Sequence, residues 1–459
     1  MCALQTDENF RLSHFEVNGL FSEHDYLIPL NTEEHVTAII APNGTGKTLC
    51  LRLIAAFFER KWATMLGVEF DQLSYSFTNG KRVVIEKTEP ADLDDTDDES
   101  VSLKVTITGG NGVAKVEWTP KMMGAKRKMS IERYLPFLSR TGSSNWQHDH
   151  SGQIFDFPDL VEEFGDRLPE SIKTGLWGEI PPELFELTDQ IECRLIETQR
   201  LLVINDDFDR HYYGHRPERA STLAIMKKAQ ALKSIIGKEI NAYAAYSQSL
   251  DRTFPHRVIS DETHNVPEQL NAKLAELESK RAALTQAGIL DAEEEEPVAF
   301  LPAGNIDPAV ARVLQTYAVD THMKLETLEP LLERINLFKK LIKQRFTTKD
   351  VQVDREHGIL VNARGGEIPL DKLSSGEQHQ LVLFFELLFE IKENSLILID
   401  EPELSLHVAW QKKFVGDLLG IIDLNKFDVV LATHSPQLVS HWEDLVVELG
   451  DVFQVSEDY

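Results

Sequence analysis

Cysteine is nearly absent: Cys2, Cys50 and Cys193 are the three thiols among 459 residues. They lie far apart, without the spacing of a metal site or a disulfide framework, which points to a reducing cytoplasm. Basic charge is scarce too, with 47 Lys and Arg against 75 Asp and Glu and a formal net charge of -28. An acidic surface repels phosphate, which argues against a broad nucleic-acid-binding face, and any DNA contact needs a local basic patch. No apolar run is long enough to span a bilayer; the greasiest, Leu381–Ile391, is interrupted by Glu386 and Glu390. The opening residues MCALQTDENF lack the basic flank and apolar core of a signal peptide. No internal repeat is visible. What remains is 42% hydrophobic and 8% aromatic residues, enough for a proper core. The length suits two or three domains, or one large domain with an insertion. The chain reads as soluble.

Hydrophobic periodicity divides it into three regions. In the first, Phe10–Val17, Tyr26–Leu30 and Val36–Ile40 read as strands, and a helix is expected from Gly46 to Trp62 with a deeply buried LCLRLIAAFF core. Val68–Glu86 and Val101–Glu117 alternate like strands around a solvated acidic loop, EPADLDDTDDES, and Cys193–Ile204 reads as another strand. In the middle, Ile225, Ala229, Leu232, Ile236 and Ile240 recur at helical spacing within Leu223–Leu250. At ~1.5 Å per residue that helix is about 40 Å long. A second helix is expected over Val266–Gln286, and after DAEEEEP a third over Asp307–Arg345, bent at Pro330. These lengths suit a compact helical lobe. From Val351 the pattern returns to α/β, with strands at Gly358–Asn362, Leu396–Asp400 and Val429–Ala432 and helices from Ser375 and over Leu404–Leu419.

Chemistry-bearing residues stand where strands end. Ala41-Pro42-Asn43-Gly44-Thr45-Gly46-Lys47-Thr48 lies between an apolar strand and a helix, the setting a phosphate-binding P-loop requires. Glycine backbone lets successive N–H groups turn inward around phosphate oxygens, and the helix N-terminus adds its positive dipole. Asn43 through Thr48 are therefore nucleotide-binding candidates, with Lys47 reaching the β- and γ-phosphates and the Thr48 hydroxyl on Mg2+. Ala41 occupies the place of the motif's usual first glycine, acceptable if its φ stays negative. The run Ser395–Glu401 (SLILIDE) has the form of a Walker B strand. It delivers Asp400 to hold Mg2+ or its waters, and Glu401 to polarise the attacking water. A buried strand ending in an acidic turn is the plainer alternative.

Three further motifs rest on resemblance. Leu373–Gln378 (LSSGEQ) resembles the ABC signature, with Ser375 replacing the first of its two glycines. Ser374, Ser375, Gly376 and Glu377 would then face an anion, although an ordinary helix N-cap uses the same residues. Leu431–Pro436 (LATHSP) resembles a switch-histidine loop that points His434 at the γ-phosphate. Gln199, in IETQRL, resembles the Q-loop glutamine that reaches Mg2+ and the attacking water.

Taken in order, APNGTGKT, IETQRL, KLSSGEQHQ, LILIDEPELSLH and ATHSPQL resemble the RecF/SMC-like ABC ATPases of prokaryotes. More narrowly they resemble the Septu anti-phage ATPases, the PtuA family. The likeness is specific over Ala41–Thr48, Ile196–Leu201 and Leu373–Pro436 and loose across the helical middle. It implies an α/β fold, an ABC-type ATPase head with a mixed sheet, flanking helices and an inserted helical lobe. Residues 1–204 and 353–459 would form the head and 205–352 the lobe. It also implies ATP and Mg2+ as ligands and a homodimer or higher homo-oligomer. In that assembly, one copy's signature loop completes the other copy's site. A separate HNH-type nuclease would be held in trans. The stretch after His434 is too short for the Toprim nuclease domain that related ATPases append. His148-Asp149-His150 and the pair His211 and His215 read as loop histidines, so no zinc is expected.

Lys121–Lys128 and Lys339–Lys349 are basic segments able to touch DNA or a partner, or simply solvated lysines. Arg210–Arg216, mixing aromatic and basic groups just after the Q-loop, is a candidate relay of nucleotide state. The expected mechanism is closure of two copies over ATP, hydrolysis through Glu401 with His434, and control of the nuclease by the helical lobes. Two rivals are a RecF-like repair ATPase that binds DNA directly and a non-hydrolysing ATP sensor or scaffold. A transporter subunit fits less well, because the helical region separates the Q-loop from the signature.

Overall fold

Alternation in the first hundred residues builds an antiparallel sheet. A computed structural model describes residues 10–88, 102–109, 115–120, 131–142, 145–149, 152–155, 160, 164, 177, 180–196, 218–260, 267–291, 307–406 and 408–450. Strands β1 (Leu12–Leu20), β2 (His24–Pro29) and β3 (Val36–Ile40) precede α1 (Lys47–Phe58) and the short α2 (Trp62–Leu66). Then come β4 (Gln72–Phe77), β5 (Arg82–Thr88), β6 (Ser102–Thr108) and β7 (Lys115–Trp118). All of these strands except β3 join one sheet in the order β2-β1-β4-β5-β6-β7. The expected helix to Trp62 stops at Phe58, because Arg60 takes a φ of 57° and turns the chain before α2. The stretch expected as strand over 68–86 is a hairpin turning at Asn79-Gly80, where Gly80 has φ 78°. A small sheet of β8 (Leu138–Arg140), β9 (Trp146–His148) and β10 (Ile154–Phe155) follows, then α3 (Pro182–Thr188) and β11 (Cys193–Ile196). The remainder of the strand expected to Ile204 lies outside the described residues, as does the acidic loop.

The middle is helical: α4 (Glu218–Ser260), α5 (Pro267–Gln286), α6 (Pro308–Glu326) and α7 (Glu329–Lys343). Helix α4 runs for 43 residues, about 65 Å at helical rise. It outruns its predicted span because its second half is largely exposed and carries little apolar periodicity to announce it. The single bent helix expected over 307–345 is two helices, with Pro330 in the first turn of α7. There its missing N–H has no intrahelical partner to lose. Next come β12 (Asp350–Asp354), β13 (Gly358–Ala363), β14 (Gly366–Glu367) and α8 (Ser375–Phe385), which continues as a π-helical turn over Glu386–Glu390.

The last region returns to strands and helices with β15 (Leu396–Asp400), α9 (Val408–Asn425), β16 (Asp428–Thr433), α10 (Pro436–Val439) and β17 (Val446–Glu448). A wholly parallel sheet has the order β11-β15-β16-β3-β17. Its strands are short and almost uniformly apolar, as strands covered on both faces must be. The expected mixture of strand directions is therefore met by an antiparallel sheet and a parallel one.

Two compact units result: 1–200 with 391–459, and 201–390. In the first, α1 is buried along most of its length, with Cys50, Leu51, Leu53, Ile54 and Phe57 fully covered. Tyr75 of β4 stacks on Phe57 at 4.2 Å and donates to the Leu53 carbonyl at 2.9 Å. The helix that follows the P-loop is thus held by the antiparallel sheet on one side and β11, β15 and β16 on another. In the second unit, β12 packs on α7 and β13 on α4. A Cβ at Gly358 (φ 78°) would lie 1.9 Å from the Ala229 carbonyl oxygen of α4, so only glycine permits this approach. Residues 353–390, assigned from sequence to the head, pack with the helices. No helix among the described residues is long and apolar enough to cross a membrane.

Candidate functional site

Adjacent parallel strands β15, β16 and β3 bring their carboxyl ends together, and the register pairs Asp400 with Ala432 and Thr433 with Ile40. The P-loop leaves β3 there. Gly44 and Gly46 take φ 86° and 90°, and Ala41 is absent from the residues with positive φ, so alanine is accommodated. Gly46, at the start of α1, has no side-chain cap. The first turn of that helix therefore offers its N–H groups and dipole to an anion. The Thr48 hydroxyl donates to Asp400 at 2.9 Å from Oδ2 and 3.1 Å from Oδ1. A hydroxyl beside one carboxylate is a hard-oxygen donor set suited to Mg2+ that arrives with phosphates and keeps several waters. Among the described residues no cluster of three or more His, Cys, Asp or Glu is arranged to hold a metal by itself.

Lys47 is buried, and its ammonium has three acceptors for three donors: the carbonyls of Ala41 (2.8 Å) and Pro42 (2.9 Å), and His434 Nδ1 (3.1 Å). Burial pulls its pKa down from the usual value, opposed by the charges of Glu401, Asp400 and Glu403. His434 Nε2 lies 3.0 Å from Glu401 Oε1. A carboxylate accepts only, so a proton on Nε2 serves Glu401 and lets Nδ1 accept from Lys47, while Nδ1 also lies 3.1 Å from the Ala41 carbonyl. Acid, imidazole and lysine form one continuous chain of hydrogen bonds. Two features fix it in place. Glu401 sits in the left-handed region (φ 46°, ψ 53°) with its N–H on the Ala432 carbonyl at 2.8 Å. The His434 N–H donates to Glu403 Oε1 at 2.7 Å. A non-glycine residue in that conformation persists only where surrounding structure over-determines it, and such residues cluster at functional sites. Sequence reasoning gave no role to Glu403 or to Gln411. Gln411 accepts from Ser435 Oγ at 2.8 Å and spans α9 and the histidine loop. Glu403 lies inside the LILIDEPELSLH run and Gln411 just beyond it, but spacing assigns neither a role; their contacts do.

The remaining candidates are elsewhere. Ser374 to Glu377 belong to the second unit, where Ser374 caps α8 in a full capping box with Glu377. The N-cap alternative is therefore realised, which leaves an anion-binding role to be argued separately. Lys339–Lys349 is no free basic stripe. Lys339 donates to the Gln286 carbonyl, Arg345 is buried against Phe384, and Lys349 pairs with Glu377. Gln199, Lys121–Lys128, His150, and Arg210–Arg216 with His211 and His215 lie outside the described residues.

The AAA ATPase domain model matches residues 8–439, nearly the whole chain. The chain belongs to that family. The family is one of ATP-binding ATPases. Protein ea59 of Escherichia phage lambda is 33% identical over 107 residues, 23% of this chain. The match spans 20% of that relative's length. Among solved structures, the domain is similar to an Smc head with an extended coiled coil, derived from Pyrococcus furiosus and bound to the C-terminal domain of ScpA. The identity there is 10%, with 96% of each chain covered and a TM-score of 0.34. It is also similar to an SMC head from Thermotoga maritima, at 13% identity over 96% of this chain and 95% of that one, with a TM-score of 0.32.

Proposed function

We propose that this AAA ATPase domain hydrolyses ATP as a head-to-tail pair and so controls a separate HNH-type nuclease, as the Septu ATPases it resembles imply. The observation that carries the hydrolytic part is the convergence of Lys47, Thr48, Asp400, Glu401 and His434 at three neighbouring strand ends. The P-loop amides and Lys47 bind the phosphates; the Thr48 hydroxyl and Asp400 would hold Mg2+, which when bound would supply charge to stabilise the transferring phosphoryl group. Glu401 takes the proton of the attacking water, and His434 Nε2 orients that carboxylate and meets the γ-phosphate. On resemblance alone, Gln199 would also contribute to holding Mg2+.

Pairing is supported by exposed apolar side chains next to the catalytic acid. Leu404 and Val408, 71% and 58% exposed, follow Glu401 in the chain and suit burial against a second copy. Ser374 of that copy then faces the γ-phosphate. The test is Glu401→Gln. We expect its ATP turnover to fall by about 100-fold or more and ATP to drive it into a dimer by sedimentation velocity. Turnover equal to the parent removes Glu401 as base, and a monomer at saturating ATP removes the pair. Co-purification with an HNH nuclease encoded beside it tests the partner.

A further inference from the structure

Glu377 is the most heavily engaged residue of the signature turn. Its Oε1 and Oε2 each lie 2.7 Å from Lys349 Nζ, and Oε2 also accepts from the Ser374 N–H at 2.9 Å and the Ser374 hydroxyl at 2.8 Å. Both charged side chains are mostly covered, at 20% and 18% exposure. Burial pushes the Glu377 carboxyl up, but the bonds from Lys349 and Ser374 outweigh it and hold it below its usual value, so it is an anion. A capping box needs no lysine; Ser374 and Glu377 satisfy each other's backbone alone. What the box creates is an ionised carboxylate bonded to the very hydroxyl that the proposed pairing turns toward a triphosphate. Two anions would compete for one serine.

We propose that Lys349 is a positioning residue that neutralises Glu377, so that the Ser374 turn can accept the γ-phosphate of a second copy of this chain. The inference rests on the proposed pairing. The lysine bonds both carboxylate oxygens, which holds the carboxylate in its capping geometry and cancels its charge. The serine hydroxyl then exchanges Glu377 for phosphate at little electrostatic cost.

The test uses the full chain in the Glu401→Gln background, reading the ATP concentration for half-maximal dimer by sedimentation velocity. Lys349→Met should raise that concentration about tenfold at low salt, and the deficit should shrink as salt screens the bare carboxylate. Adding Glu377→Gln, which keeps the capping geometry without the charge, should remove most of the deficit, and Lys349→Arg should show little of it. A merely structural lysine predicts otherwise: a deficit that ignores salt and persists with Glu377→Gln. That result overturns the proposal, as does Lys349→Met without effect. Thermal melts of each variant identify one that has failed to fold, in which case Lys349→Gln with and without Glu377→Gln carries the comparison. Should the parent Glu401→Gln protein never dimerise with ATP, the pairing itself falls, a result distinct from failure of the Lys349 proposal.

Discussion

A buried lysine is tolerable only when each of its N–H groups is answered, and Lys47 meets that condition with two loop carbonyls and His434. The same residue ties His434 to the P-loop: Nδ1 lies 3.1 Å from Lys47 Nζ and from the Ala41 carbonyl, and Nε2 lies 3.0 Å from Glu401. Another group beside the site is silent in function but informative in stability. Cys50 is fully buried in α1, and burial pushes its thiol from 9.0 up to about 12. Between those values the unfolded chain loses the proton and the folded chain keeps it. Stability from this residue is therefore intact below pH 9 and falls as pH rises toward 12, by up to about 1.4 kcal/mol per pH unit. Urea midpoints measured from pH 8 to 10.5 should decline less steeply in Cys50→Ala than in the parent. Iodoacetamide at pH 8 should spare Cys50 until the protein is unfolded, as peptide mass spectrometry would show.

At the scale of elements, the junction of α4 with the end of α8 is a mostly covered contact that gathers three charged side chains. Lys228 of α4 lies 2.9 Å from Glu386 and 2.8 Å from Glu390, and above the Phe385 ring at 5.8 Å. Both carboxylates stand on the π-helical turn that ends α8. Such turns accommodate a local demand rather than intrinsic preference. Removing the lysine takes away a cation that both carboxylates contact at a mostly covered junction. Lys228→Met should therefore cost about 3 kcal/mol, read as a lower urea midpoint. Adding Glu386→Gln and Glu390→Gln should recover part of the loss, since the carboxylates that the cation faced are then gone. A loss that persists in full with both glutamines would show that the cation supports packing alone.

For the whole molecule, the net charge of -28 bears on partners. The engagement of Lys339, Arg345 and Lys349 removes much of one expected basic patch. The isolated chain should accordingly show no retention of duplex DNA at about 150 mM salt by fluorescence anisotropy. Binding that strengthens steeply as salt is lowered would favour the direct DNA-binding alternative.

The sequence by itself determined the ingredients: the P-loop, the apolar strand ending in Asp400-Glu401, the strand-end histidine and the capped helix at Ser374. Each is encoded locally, since glycine conformation, short-range periodicity and capping depend on near neighbours in the chain. Helix limits were less legible where side chains stay exposed, as in the second half of α4, because solvent imposes no period. Tertiary structure alone decided that Lys349 neutralises Glu377, that Glu403 and Gln411 hold the histidine loop, and that 353–390 packs with the helices. Hydrogen bonds and packing between residues distant in the chain have no signature in composition or spacing; they exist only once folding has brought their partners within reach.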